Sequence, residues 1–137
     1  MGQQQLLLII LGVIIVGIAI AVGISMFSSS SVQANKDAIV NDLNNLAADA
    51  YQFKIRPCTM AGGGGTYAGG SCSPANPYGI PTKLASNDNA SYTRVGSATD
   101  STVTFEGTSK SYPTGKVKAT VDANGKLINF TYAGDFL

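Results

Sequence analysis

Histidine and tryptophan are absent from this 137-residue chain, cysteine occurs twice, and Glu106 is the single glutamate. Without histidine, the chain cannot build a Ser-His-Asp triad or a histidine general base from its own residues. Two cysteines without histidine also fall short of the four protein ligands of a structural zinc site. We therefore do not expect an enzyme, and we assign the chain no catalytic residue, no metal site and no cofactor.

A strong net charge is also missing. Nine Lys and Arg residues against eight Asp and Glu residues give a net charge of +1 at pH 7. A nearly neutral chain lacks the basic field that is typical of nucleic-acid binding, so no nucleic-acid partner is indicated. The length suits one small domain with a tail.

The first charged residue is Lys36, and before it lies an apolar run from Leu6 to Phe27, twenty-two residues with a single hydroxyl group. A secretory signal has an apolar region of about 7–15 residues behind a positively charged start, so this run is too long and lacks that charge. As a helix it would extend about 33 Å, the thickness of the hydrocarbon core of a bilayer. The run predicts a membrane-spanning helix.

Helical periodicity continues after the serines at 28–31 without a Pro or Gly break. The apolar positions, spaced by three, four or seven residues, are Val32, Ile39, Leu43, Leu46, Ala50 and Phe53. The polar positions assigned to the other side are Asn35, Lys36, Asp37, Asn41, Asp42, Asn44, Asn45 and Asp49. Pro57 ends the pattern because a proline disfavours helix at the preceding residue. We expect one helix from about Gln3 to about Lys54, whose second half buries its apolar stripe against the rest of the domain.

Cys58 and Cys72 flank a glycine-rich segment. They are either a disulfide or two unpaired thiols, and a membrane-targeted chain with a small domain favours the disulfide, which closes a loop of about 15 residues and is worth roughly 3 kcal/mol. A disulfide places the C-terminal domain outside the cell membrane and the N-terminus inside. The glycines at 62–65 follow no strand and lack the Gly-Lys-Ser/Thr ending of a phosphate loop, so we interpret them as a flexible surface loop.

Beyond this loop the periodicity changes to two, which is typical of strands. The predicted strands are Ser91 to Val95, Ser101 to Gly107, Gly115 to Asp122 and Gly125 to Tyr132. Asn124-Gly125 predicts a hairpin between the last two, because both residues tolerate a positive φ. Ile128, Phe130 and Tyr132 are expected to share one face of the sheet and to cover the helix stripe.

These elements predict an α+β fold, in which a long N-terminal helix, apolar in its first half and amphipathic in its second, packs on a small antiparallel sheet of three to four strands. The expected organisation is a possible short leader at 1–2, an apolar transmembrane or polymerisation helix at 3–30, an amphipathic helix at 31–56, a Gly-rich connecting loop with the disulfide at 57–90, and an antiparallel sheet at 91–137.

This order of elements is specific. A small residue, Gly2, precedes a polar patch, an unbroken apolar helix that becomes amphipathic, a connecting loop, an antiparallel meander and a cysteine pair. It resembles a type IV pilin or a pseudopilin of type II secretion, as does the segment DLNNLAADAYQFKIRP from Asp42 to Pro57. The resemblance implies that prepilin peptidase cleaves between Gly2 and Gln3, and that Gln3 is the mature N-terminus, open to methylation. The precursor would then lie in the inner membrane and reach a filament on the cell surface through a pilus assembly machinery.

The resemblance implies a homopolymer built through the N-terminal helices. The residues expected to carry polymerisation are Leu6, Leu7, Ile10, Ile14, Gly17, Ile18 and Gly23. Gly12, Ala19 and Ala21 also permit close helix contact. Family members usually carry a glutamate at the fifth mature position, where this chain has Leu7, so its pairing role would fall to the amides of Gln4 or Gln5 or to no side chain.

The expected function is that of a structural subunit of a type IV pilus-like filament. Two alternatives stay open, a minor pseudopilin of a secretion system and a signal-anchored extracytoplasmic binding module.

Overall fold

The computed structural model describes residues 2–137, and Met1, half of the predicted leader, lies outside the described residues. A single helix, α1, extends from Gly2 to Ile55 through all four serines. The chain forms two compact units, of which the first ends at Gln33 and the second is Ala34–Leu137. The predicted continuous helix is therefore confirmed, with ends within one residue of those expected.

The second unit contains a four-stranded antiparallel sheet. Its strands are β1 (Ala90–Val95), β2 (Val103–Ser109), β3 (Lys116–Val121) and β4 (Leu127–Ala133), and two short 3-10 turns lie at Cys58–Met60 and Gly134–Phe136. The strands are neighbours in the order of the sequence, which is a simple meander. The predicted α+β fold is thus confirmed, and β1 and β4 form the two edges of the sheet.

The core lies between the second half of α1 and the sheet. Ile39, Leu43, Leu46 and Ala50 of the predicted stripe are buried, together with Ala47. On the sheet, β2 and β3 bury every second side chain, and Phe105, Val117 and Ala119 are fully inaccessible. At Gly107 an added Cβ would lie 2.8 Å from Ile39 Cγ2, so glycine lets the helix approach the strand closely. Burial of each large apolar side chain contributes about 1.5–3 kcal/mol to the stability of the folded state. The interface between α1 and the sheet is therefore the main source of stability in this unit.

Strand β4 departs from the predicted alternation. Asn129 has a φ of 53° and the β3–β4 register shifts between Lys118 and Thr120, which is a β-bulge. As a result Tyr132 pairs with the buried Val117, whereas Ile128 pairs with Thr120 on the opposite face. The prediction that Ile128, Phe130 and Tyr132 share one face is wrong, because the bulge inserts one residue and reverses the side-chain alternation.

The β3–β4 hairpin is confirmed, but its turn differs from the one expected. Between Asp122 and Lys126, only Gly125 has a positive φ, 81°, and its N–H donates to the Asp122 carbonyl at 3.1 Å. The Asp122 carboxylate accepts the N–H groups of Asn124 and Lys126, both at 2.9 Å. The aspartate side chain therefore orders the turn, so that only one residue needs the left-handed conformation.

The connecting segment is bonded to the end of α1. Cys58 and Cys72 form the predicted disulfide, with their Cα atoms 5.4 Å apart. Within the loop, the N–H groups of Gly63 and Gly65 donate to the carbonyls of Phe53 and Lys54 at 2.8 and 2.7 Å. The last carbonyls of a helix lack hydrogen-bond donors inside the helix. The N–H groups of this loop supply the missing donors. Gly63 is buried, so this part of the predicted surface loop is packed against the domain.

Candidate assembly surface

The apolar half of α1 is exposed along its whole length. Every residue from 2 to 30 is exposed, and the large apolar side chains from Leu6 to Phe27 keep 52–76% of their surface accessible. The polymerisation residues Leu6, Leu7, Ile10, Ile14 and Ile18 belong to this set, at 61%, 66%, 55%, 53% and 60%. No part of the described chain covers them, so their burial requires another molecule or a lipid phase.

Apolar side chains surround this half of the helix on all sides. Consecutive residues of an α-helix are about 100° apart, so an uninterrupted apolar run leaves no polar face. Such a helix is suited to a bilayer or to the interior of a bundle, and a stable position in water requires it to be enclosed. The helix is long and apolar enough to cross a membrane.

The small residues of this half are not arranged evenly. On a helical wheel Gly12, Ala19 and Gly23 fall within about 40° of one another, whereas Gly17 lies about 140° from Gly12 and Ala21 lies on roughly the opposite side. A Cβ added at Gly12, Gly17 or Gly23 would meet nothing within 4 Å in the described chain. None of these glycines is needed for packing inside this chain, and the first face offers a neighbouring helix the closest approach.

The helix start carries amides and no acid. Gly2 and Gln3, the predicted cleavage residues, lie in the first turn of α1, and no acidic side chain occurs there. Gln3, Gln4 and Gln5 are exposed. The N-terminal N–H groups of a helix lack intrahelical partners, and amide side chains can both donate and accept hydrogen bonds.

Polar side chains beside the buried stripe fix the second half of α1 to the domain. Asp42 Oδ2 accepts hydrogen bonds from Tyr92 Oη at 2.5 Å, Asn87 Nδ2 at 2.7 Å and Asn89 Nδ2 at 3.2 Å. Two turns later, Asp49 Oδ2 accepts one from Tyr78 Oη at 2.7 Å. These hydrogen bonds connect α1 to strand β1 through Tyr92 and to the loop before it through Tyr78. Together they restrict rotation of the helix about its axis.

The beginning of the amphipathic half has its own contacts. Ser109 Oγ donates to Asn35 Oδ1 at 2.6 Å. Lys36 Nζ lies 4.0 Å from the centroid of the Tyr132 ring, a cation–π contact that joins α1 to β4. Thus β2 and β4 both hold the first turns of the helix within this unit.

At the other end, the β3–β4 turn packs on α1. An added Cβ at Gly125 would lie 2.8 Å from Tyr51 Cβ, and Lys54 Nζ donates to the Ala123 carbonyl. Tyr67, from the disulfide loop, donates to the Asp122 carbonyl at 2.6 Å. Helix end, disulfide loop and hairpin turn therefore form one connected cluster.

These contacts shift several pKa values. Burial by itself would raise the pKa of Asp42, but the hydrogen bonds from Tyr92, Asn87 and Asn89 outweigh it and leave the pKa below its ordinary value of 3.8. Burial, together with the charge of Asp122, raises the pKa of Tyr67 to about 12. Burial followed by the neighbouring carboxylate also raises the pKa of Tyr78, next to Asp49, and that of Tyr92, next to Asp42. The Asp42 carboxylate is thereby stabilised as an anion, and the phenols of Tyr67, Tyr78 and Tyr92 are stabilised as neutral donors.

The sequence analysis assigned Asp42 and Asp49 to the polar side of the helix. It did not predict their hydrogen bonds to the tyrosine and asparagine side chains of the domain. A usable signal exists, because each aspartate directly precedes a stripe residue, Leu43 or Ala50, and the two are seven residues apart. Positions that flank a buried stripe with heptad spacing lie at the edge of the interface.

Comparison with family models, with curated proteins and with solved structures finds no match for this chain.

Proposed function

We propose that this protein is the structural subunit of an extracellular filament of the type IV pilus kind, assembled through its N-terminal helix. The observation that carries the proposal is the division of the molecule into a fully exposed apolar half-helix and a domain with a complete core. The core of that domain begins at Ile39, so the apolar half takes no part in it. Its burial is left to other molecules.

The free energy at issue is large. Each large apolar side chain gains about 1.5–3 kcal/mol on full burial, and those between Leu6 and Phe27 all remain available. In a bilayer the lipid tails satisfy this surface. Once the helix leaves the lipid, copies of the same helix are the partners that meet it at the highest local concentration. A bundle of such helices forms the filament axis, with the sheet domains outside.

The proposed route follows the same physics. The precursor is held in the inner membrane by α1, prepilin peptidase removes Met1 and Gly2, and an assembly machinery extracts the mature chain into the filament. The disulfide supports an oxidising location for the domain, because structural disulfides persist outside the reducing cytoplasm.

The experiment is electron microscopy of sheared surface material, with mass spectrometry of the fibres, for wild type and for Ile14→Asp and Ile18→Asp. We expect abundant fibres from wild type and none from either variant, because an unpaired buried carboxylate costs several kcal/mol per subunit. Ser97→Asp, at an exposed position after β1, is the control on the domain and should leave fibres unchanged.

Normal fibres from both helix variants would contradict the proposal. Wild-type protein found only in membranes would favour an anchored binding module, and wild-type protein found only in a secretion complex would favour a minor pseudopilin.

A further inference from the structure

Two segments of the chain match the Asn-X-Ser/Thr acceptor sequence of N-linked sugars. They are Asn89-Ala90-Ser91 and Asn129-Phe130-Thr131. So short a pattern often occurs by chance, and the sequence alone does not indicate a modification. The two segments have different surroundings in the structure, and this difference decides which asparagine is available to a sugar donor.

Asn89 is held by the domain. Its side chain is half-buried, and its Nδ2 donates to Asp42 Oδ2 at 3.2 Å. The same oxygen accepts hydrogen bonds from Tyr92 and Asn87. Ala90, the middle residue of the segment, is fully buried. A sugar on the Asn89 nitrogen would lie where three donors converge on one carboxylate, so this asparagine is not available.

Asn129 is free of such contacts. It is exposed, and its side chain makes no hydrogen bond to residues 2–137. It lies in the β-bulge, where Asn129 and Phe130 are opposite a single residue of β3, Ala119. Its φ of 53° is left-handed, a conformation that asparagine adopts more readily than most residues. Because a bulge turns a side chain out of the regular ladder, the Asn129 amide is accessible from solvent.

The rest of the second segment is accessible as well. Phe130 is 40% exposed, and Thr131, which supplies the hydroxyl of the acceptor sequence, is exposed. Thr131 pairs with Lys118 of β3 on one side, and no strand of the described chain pairs with the other side of β4. A transferase can therefore reach the asparagine and the threonine from the open edge of the sheet.

The two edges of the sheet differ in their cover. At β1 the Tyr92 N–H donates to the Ala85 carbonyl at 2.8 Å and a bridge joins Ser86 to Ser91, so the preceding segment covers this edge. An uncovered edge strand can pair with another chain, and charged side chains are a common protection. Residues 127–134 contain no charged side chain. A bulky hydrophilic group attached at the bulge would supply this protection.

We propose that Asn129 is a site of N-linked glycosylation. The donor is an oligosaccharide esterified to the phosphate of a membrane polyprenol. The Asn129 Nδ2 forms a bond to the anomeric carbon of the first sugar, and the bond between that carbon and the phosphate oxygen breaks. The released carrier phosphate takes up the amide proton. The step is a group transfer in which nothing is oxidised or reduced.

The location of the domain suits this donor. The Cys58–Cys72 disulfide supports an oxidising compartment outside the cytoplasm. Helix α1 is long and apolar enough to cross a membrane, the phase in which a polyprenol carrier is dissolved. The inference needs this location and no filament, so it goes beyond the proposed function and is independent of it.

The test is mass spectrometry of tryptic peptides from the full chain, isolated from the cells that naturally make it. Trypsin cleaves after Lys and Arg, so residues 84–94 and residues 127–137 are released as separate peptides, each with one acceptor segment. We expect the 127–137 peptide to be heavier by whole sugar residues and to lose them on fragmentation. The 84–94 peptide should have the mass of the bare sequence and is the internal control.

Three variants identify the attachment point. Asn129→Asp keeps a residue that tolerates a positive φ and removes the amide nitrogen, so it should abolish the added mass. Thr131→Ala removes the hydroxyl of the acceptor sequence and should abolish the added mass as well. Thr131→Ser restores a hydroxyl at the same exposed position and should retain the sugar.

A bare 127–137 peptide from the wild-type chain would overturn the inference. Sugar that persists in Asn129→Asp would do the same, because it would then be linked to another atom, such as the hydroxyl oxygen of Thr131. Sugar on the 84–94 peptide instead would show that the bond to Asp42 does not withhold Asn89. A wild-type chain that forms no fibres contradicts the proposed function and leaves these peptide masses unchanged.

Discussion

Tyr92 donates a hydrogen bond of 2.5 Å to the Asp42 carboxylate and thereby joins strand β1 to helix α1. Because the folded-state pKa of Asp42 lies below its ordinary value of 3.8, the unfolded chain binds the proton more readily in acid. The stabilisation is therefore complete above about pH 4 and is lost as the pH falls through the lower, folded pKa.

We expect Asp42→Asn to lower the free energy of unfolding by about 1–3 kcal/mol at neutral pH, and to flatten the acid limb of the stability curve. Urea unfolding of a soluble fragment that begins at Ser31, followed by circular dichroism across pH 2–7, provides the measurement. Asp88→Asn, at an exposed loop position, is the control and should follow wild type. An unchanged acid limb in the Asp42 variant would refute the assigned role.

The buried tyrosines predict a loss of stability in alkali. Tyr78 keeps its proton in the folded state at a pH where the unfolded chain releases it, because burial and the Asp49 carboxylate raise its pKa. The associated stability is thus complete below about pH 10 and declines above it. Tyr78→Phe should reduce this decline and cost about 1 kcal/mol at neutral pH. Phenolate absorbance, compared between folded and unfolded fragment, reports the delayed ionisation, and identical titration curves would show that the tyrosines are not protected.

The disulfide provides a third prediction. Cys58→Ser combined with Cys72→Ser should destabilise the fragment that begins at Ser31 by about 3 kcal/mol, because the loop that completes the end of α1 gains freedom in the unfolded chain. Thermal unfolding measures the change, and the lost protection should concentrate at the N–H groups of Gly63 and Gly65 in hydrogen exchange. Two free thiols in wild-type protein purified without reductant would exclude the bridge in solution.

The uneven distribution of small residues in the apolar half allows a matched comparison. Ala19→Leu fills the face shared with Gly12 and Gly23, whereas Ala21→Leu adds the same atoms on roughly the opposite side. Both changes keep apolarity and helix propensity, so any difference reports close packing between helices. We expect Ala19→Leu to reduce fibre yield or alter helical symmetry by electron microscopy, and Ala21→Leu to have the smaller effect. The reverse order would assign the closest approach to the other face.

The glutamines at the helix start provide the last prediction. Simultaneous replacement of Gln3, Gln4 and Gln5 by Ala should reduce or misregister fibres, because amides of neighbouring subunits can satisfy the unpaired N–H groups of a dry bundle without burial of a charge. Membrane insertion of the precursor is the control and should persist. If the triple variant forms fibres with wild-type yield and symmetry, the glutamines act only at the lipid headgroups.

Much of the fold is accessible from the sequence because its signals are local. The helix ends, the four strands and the presence of a hairpin at Asn124-Gly125 follow from periodicity and turn chemistry. Four of the five buried positions of α1 belong to the predicted stripe, whereas Val32 and Phe53 of that stripe are only half-buried. The bulge at Asn129 was not accessible, because a single inserted residue depends on how β4 meets its neighbour and not on its own pattern.

The candidate assembly surface also has features that the sequence predicts and contacts that it does not. The apolar character of residues 6–27 follows directly from their composition. The bonds that Asp42 and Asp49 make with Tyr92 and Tyr78 join residues 50 and 29 positions apart, and no local pattern encodes such a pairing. The exposure of Phe130 was likewise not predictable from a local pattern, because it depends on the bulge. The bulge places Phe130 beside Tyr132, on the edge strand of the sheet.

All buried apolar side chains of the core belong to residue 39 or later, so the folded domain is independent of the surroundings of the first thirty residues. In the proposed assembly cycle, a membrane-held subunit and a polymerised subunit are then the same native molecule in two solvents. On this proposal, a subunit that passes between the lipid and the fibre keeps its domain folded and needs no second round of folding.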